Sequence, residues 1–307
     1  MERNITLDYF KIIISILVIT IHVQPLFYPD SPLGWLISNG IARVAVPCFF
    51  IINGYFLGNK ISNNKAVFNY IVKLIIIYLV WILIYSGGLA DKELKMSLIL
   101  FVFGYTHLWY VVALIIGTLL LFGINKIIKN KNKILLICTL LFFTGATIQT
   151  FMDINSVIDL FKTRNGLFVG LPFIFLGNYI RSYEEKLNKI SNSIILVLLI
   201  VFTIVLLGES YYCLVTQAGK DLFFSLIMVC PLALIYILRI STYKADNGYI
   251  GQLASGIYFT HILAMVMVNI IFPQPEMKIY VLPLIIFLSL IISAVVIELN
   301  KRIKIFL

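Results

Sequence analysis

The stretch LDYFKIIISILVITIH, residues 7–22, decides the fold. It reads as an apolar membrane helix, yet it carries Asp8, Lys11 and His22. Only Ser15 and Thr20 are polar among the residues between Lys11 and His22. Eleven steps of ~100° bring His22 back to nearly the face of Lys11, about 16 Å further along the axis. Asp8, Lys11, Ser15 and His22 therefore share one stripe. A charge inside a bilayer costs several kcal/mol, so such a stripe faces a cavity or a partner and not lipid.

Outward from this helix, the composition agrees. Hydrophobic residues make up 61% of the 307 positions and charged residues 12%, with a mean hydropathy of +1.01. A soluble chain of this length could not hide so much apolar side chain. The sequence predicts an integral membrane protein of all-α class: a polytopic bundle of about ten transmembrane helices forming a single domain over 1–307. The first apolar run is too long for a cleavable signal peptide and lacks a small-residue cleavage site. Cys48, Cys138, Cys213 and Cys230 stand in apolar runs without ligand spacing and read as buried hydrophobes. With three histidines and no clustered Cys or carboxylates, no metal site is expected.

A span needs about 20 apolar residues. Runs of that kind lie at 6–27, 35–57, 68–87, 107–124, 133–151, 165–180, 193–208, 220–239, 248–272 and 278–298. The sixth is short and carries Gly170, Pro172 and Gly177. The apolar piece 96–105 is too short to span. The net charge of +10 would suggest nucleic acid, but the basic residues alternate between loops instead. With both termini in the cytoplasm, sixteen Lys and Arg fall inside, six outside, and Lys11 and Arg43 within spans. That is the positive-inside pattern. The external loops are acidic, with Asp30, Asp91, Asp153, Asp221 and Glu276 among their residues. The expected location is the cell membrane, multi-pass, with membrane lipids as neighbours and no nucleic-acid partner.

This topology gives each buried polar residue a depth. His22, Arg43, His107 and Arg164 fall in the outer third. Asp8 and Lys11 lie near the inner face, and His261 near the middle of the ninth span. Lys11 either snorkels to lipid phosphates or binds a ligand. Asp8 is its partner or a residue favoured by the helix dipole. Arg43 is too deep to snorkel. His107, Trp109 and Tyr110 form either an interfacial belt or part of a site. Arg164 reads equally as a loop charge, and His261 as a core histidine. A neutral imidazole near physiological pH can act as general base toward a hydroxyl or amine that attacks an acyl group. Arg43 or Arg164 could hold a developing oxyanion or a phosphate.

The opening LD…K…H, the second-span ARVAVPCFFIINGYFL, HLWY at the fourth span, LPFIFLGNYI and the late YFTHI together resemble the acyltransferase 3 family of multi-spanning membrane proteins. The resemblance runs over nearly the whole chain. It implies transfer of an acyl group, usually acetyl from acetyl-CoA as co-substrate, with no bound cofactor. The acceptor would be a carbohydrate, cell-wall component or small metabolite. It implies an essential histidine at His22. Donor or substrate contacts would come from Lys11, Arg43, His107, Trp109, Tyr110, Arg164 and His261, supported by Asp8 and Asn53. The family's basic position is more often arginine and its residue before the second-span glycine more often serine. Here they are Lys11 and Asn53. TRNGLF and the compact size also resemble the membrane half of bacterial vancomycin-resistance serine racemases. That resemblance implies delivery or transport of a small amino acid such as L-serine, linked to glycopeptide resistance. The ending KRIKIFL, directly after the tenth span, suits either a stand-alone enzyme or one part of a longer protein.

Overall fold

The first helix starts where Asn4 caps it. The Asn4 side-chain oxygen accepts from the Leu7 N–H at 2.9 Å, satisfying one of the donors that a helix start leaves open. The helix runs Ile5–His22, in a computed structural model that describes all residues except 1, 29, 30, 91, 153, 155, 246 and 274–277. Of the acidic loop residues named above, Asp30, Asp91, Asp153 and Glu276 lie outside the described residues.

The protein is an all-α polytopic membrane protein. Among the described residues, eight helices are long and apolar enough to cross a membrane: Ile5–His22, Pro32–Ser62, Asn64–Ile84, Thr106–Ile127, Lys131–Phe151, Asn192–Thr216, Tyr249–Ile271 and Lys278–Ile303. The other two expected spans are shorter. The sixth is a π-helical turn, Gly166–Gly170, running into the helix Leu171–Ser182. The eighth is Leu226–Arg239, and not 220–239. The Glu209 carboxylate accepts from the backbone N–H groups of Phe224 at 2.9 Å and Ser225 at 3.0 Å, and from the Ser225 hydroxyl at 2.5 Å. A carboxylate on these donors satisfies N–H groups that a helix start leaves open, so the helix begins here and the apolar residues 222–224 lie before it. The apolar piece expected at 96–105 is the short helix Leu94–Phe103. All four cysteines are buried and none forms a disulfide.

The chain divides into two compact units, Met1–Cys48 with Ile190–Leu307, and Phe49–Lys189. In the first, a two-stranded antiparallel ladder pairs Glu2–Asn4 with Tyr243–Ala245. The helices Ile5–His22 and Tyr249–Ile271 pack side by side. Gly251 sits against Asp8, Ser15 Oγ donates to the Ala254 carbonyl at 2.9 Å, and the His22 and His261 rings meet. Residue numbers rise together along the contact, so the two helices run parallel. The helices Asn192–Thr216 and Leu226–Arg239 run antiparallel. Glu209 meets Ser225 at one end, and Arg239 Nη1 donates to Asn192 Oδ1 at 2.9 Å at the other. In the second unit, Gly54 and Gly177 mark a close crossing. A Cβ on Gly54 would overlap the Ile174 carbonyl, and one on Gly177 the Ile51 carbonyl. Small residues let membrane helices approach backbone to backbone.

Candidate functional site

Within the first unit, the stripe on the first helix resolves into three stations. At its start, Asp8 is 2% exposed and takes two cations. Lys11 Nζ donates to Oδ1 at 2.8 Å, and Arg3 Nε to Oδ2 at 3.1 Å. Lys11 is thus held in an ion pair on its own helix, spaced i,i+3. In the middle, Ser15 is fully buried and joins two helices. Its hydroxyl also lies 2.8 Å from the Lys11 carbonyl. At the end, the half-buried His22 ring lies 5.2 Å from that of His261, centroid to centroid, at 39°.

The His261 ring is oriented by its own helix. Nδ1 lies 2.7 Å from the Tyr258 carbonyl and 3.2 Å from the Ile257 carbonyl. Carbonyls only accept, so this geometry assigns the proton of a neutral ring to Nδ1 and leaves Nε2 with the lone pair. His261 is fully buried. Two imidazoles from distant parts of the chain therefore form one pair, one fixed by the main chain and the other at a helix end.

Arg43 lies in the 3-10 turn Ile41–Val44, between the π-helical Leu36–Gly40 and the α-helix Ala45–Leu57. Its guanidinium pairs with Asp221, Nη1 to Oδ2 at 3.3 Å, both side chains at most 15% exposed. It also donates to Asn39 Oδ1 at 2.5 Å. Asn39 in turn exchanges two hydrogen bonds with Gln24, at 3.0 and 3.3 Å. Arg43 thus heads a buried polar chain of four residues. Sequence reading placed Asp221 among the loop acids and did not single out Gln24 or Asn39, because lone amides carry no periodic signal.

The remaining candidates belong to the second unit. Asn53 Nδ2 donates to the Tyr110 hydroxyl at 2.8 Å, and the Tyr70 hydroxyl donates to Asn53 Oδ1 at 2.9 Å. Asparagine supplies both a donor and an acceptor here, so one side chain ties two tyrosines. The Tyr110 ring lies 4.6 Å from that of Phe50, tilted by 47°, and Trp109 lies 6.5 Å from the same ring. His107 is buried, edge-on to Tyr85 at 5.2 Å, with Nδ1 3.1 Å from Thr106 Oγ1. The turn that delivers it contains Gly104 at φ +102°, a conformation that suits glycine. Arg164 is half-buried, just before the turn Gly166–Gly170, with its backbone N–H on the Leu160 carbonyl at 2.7 Å.

Each unit thus holds its own buried or half-buried basic and imidazole groups: Lys11, His22, Arg43 and His261 in the first, His107 and Arg164 in the second. Residues 4–298 match the acyltransferase 3 family, described as an acyltransferase domain, and the chain belongs to that family. It is similar to an amino-acid racemase of Enterococcus faecalis, 29% identical over 97% of this chain and 47% of the racemase. It is also similar to a serine/alanine racemase of Enterococcus gallinarum, 30% identical over 84% of this chain and 40% of the racemase. The chain spans less than half the length of these relatives. No solved structure matches.

Proposed function

We propose that the protein is a membrane acyltransferase that moves an acyl group, acetyl in the simplest case, from acyl-CoA to a hydroxyl or amine acceptor. The observation that carries this reading is the His22–His261 pair inside a domain of the acyltransferase 3 family. His22 is the general base. One imidazole nitrogen takes the proton of the acceptor O–H or N–H. The freed oxygen or nitrogen bonds to the acyl carbon, and the C–S bond breaks. The departing thiolate of coenzyme A takes the proton back from the imidazolium. A positioned base of this kind contributes about 10²–10⁴ to a rate. His261 positions the His22 ring. Lys11, with Arg3, stands where a cytoplasmic donor's anionic groups would arrive, and both termini are on the cytoplasmic side.

The racemase relatives favour a second reading, a membrane module that delivers a small amino acid such as L-serine. One preparation separates the two. Membranes containing the full chain should transfer labelled acetyl from acetyl-CoA to an added hydroxyl or amine acceptor, and His22→Ala should stop it. Unchanged transfer by His22→Ala would overturn the base assignment. L-serine accumulation in proteoliposomes without acyl-CoA, and with no acetyl transfer, would establish the second reading instead.

A further inference from the structure

One end of the second unit carries a single sign of charge. Segments 58–65, 122–133 and 178–189 hold nine Lys or Arg against two acids, Glu184 and Glu185, and all three segments belong to that unit. Hydrogen bonds gather them into one layer. Asn178 Nδ2 donates to the Gly58 carbonyl at 2.7 Å, the Tyr179 hydroxyl donates to Asn132 Oδ1 at 3.1 Å, and Lys131 Nζ donates to Ser182 Oγ. Eight of the nine basic side chains are exposed. Among the described residues, Arg181 alone of the nine is in an ion pair, with Glu184 at 2.6 Å. The positive-inside rule puts lysines at this end of the spans, but it does not ask that they crowd into one layer without acids. Like charges held together repel, and an anionic partner relieves the repulsion.

The side chains beside these cations select the class of anion. Lys65 and Phe68 stand three apart on the helix Asn64–Ile84, and Lys133 and Leu136 three apart on Lys131–Phe151. Residues at that spacing are neighbours on a helix surface. Phe68 is 67% exposed and Leu136 60%, so each pair presents an amine with an apolar group one turn further into the span. A soluble anion would use the amine and leave the apolar neighbour bare. An amphiphile uses both, its phosphate on the lysine and its acyl chain along the phenylalanine or leucine. We propose that this layer of the second unit binds anionic phospholipid, with headgroup phosphates on Lys65, Lys129, Lys133 and Lys186 and acyl chains against Phe68 and Leu136. The proposal does not rest on acyl transfer, because none of these residues belongs to the acyl-transfer reading.

Native mass spectrometry of the purified full chain, delipidated in a neutral detergent, tests this. Dioleoylphosphatidylglycerol should be retained more tightly than dioleoylphosphatidylcholine, which has the same acyl chains and no net charge. A lysine near an anionic lipid surface contributes roughly a fivefold factor, so four of them should give a preference of tenfold or more. Lys65→Gln, Lys129→Gln, Lys133→Gln and Lys186→Gln combined should remove that preference, and arginine at the same four positions should keep it. Lys129→Gln with Lys133→Gln, expected to give a smaller loss, serves if the four-residue variant does not fold. In the first unit, Lys301→Gln with Arg302→Gln, also at a helix end, should leave the preference unchanged. Equal retention of the two lipids overturns the proposal, as does a preference that survives the glutamines, is lost with the arginines, or falls equally in the Lys301 and Arg302 variant. Displacement of bound phosphatidylglycerol by excess inorganic phosphate or coenzyme A also overturns it, and would mark a soluble-anion site instead.

Discussion

His22 and Arg43 separate chemistry from stability. His22→Ala should lower kcat/KM for acetyl transfer by about 10²–10⁴, with little change in unfolding temperature, because the ring is only half-buried at a helix end. His261→Ala should cause a smaller loss in kcat and leave KM for acetyl-CoA near the parent value, as expected for a positioning group. Steady-state kinetics in detergent measures both. Arg43→Leu should behave differently. It leaves Asp221, 7% exposed, without its cation, a change that typically costs about 3–5 kcal/mol, whereas Arg43→Leu with Asp221→Leu should recover much of it. Denaturant unfolding of the purified variants reads the difference. His22 was legible in the sequence because a lone imidazole among isoleucines and valines needs a partner from elsewhere. Which partner it meets was not, since nothing local in YFTHI aims His261 at it.

At the level of elements, the apolar runs located the helices but not their ends. The sixth and eighth show why. Hydropathy counts Leu222, Phe223 and Phe224 toward a span, but the Glu209 carboxylate of a neighbouring helix takes the backbone donors of Phe224 and Ser225, and the helix starts only at Leu226. The second span read as one run over 35–57. It is a chain of π, 3-10 and α segments across Pro32–Ser62, with Asn39 in the π segment and Arg43 in the 3-10 turn. Gly170 and Gly177 marked the sixth span only as short and interrupted; the close backbone contacts at Gly54 and Gly177 needed the fold. Gly177→Leu should disrupt the crossing at the Ile51 carbonyl and sharply lower the yield of folded protein in size-exclusion chromatography. Gly123→Leu, at a position with open space around it, should be tolerated.

At the scale of the whole molecule, the parallel run of Ile5–His22 and Tyr249–Ile271 constrains the topology. An odd number of crossings must separate two parallel spans. Five of the long helices lie between them. Leu226–Arg239 extends for about 21 Å alongside Asn192–Thr216 and reads as a sixth crossing. Gly166–Ser182 then has to be the seventh. Single cysteines added at either end of the chain should accordingly react with impermeant thiol reagents from the same side of sealed vesicles. Labelling from opposite sides would remove one of the two short spans. The ten-span count came from the apolar runs and was supported by charge alternation between loops, both properties of the chain alone. The polar connections within the first unit did not, because they join residues nearly two hundred positions apart.

Lys11 and Arg43, two largely covered cations of the first unit, also differ in when their partners are made. Lys11 meets Asp8 within one turn of helix, so the first span leaves the ribosome already balanced. Arg43 waits for Asp221, 178 residues later. At about 5–20 residues per second, that delay is roughly 10–35 s. Throughout it, the nascent second span presents a guanidinium whose insertion alone costs about 2.5–3.5 kcal/mol. Until then the Asn39 amide, four residues earlier in the same span, is the polar group at hand for Arg43, so chain order sets an interval in which this arginine has a hydrogen-bond partner before it has its counter-ion Asp221.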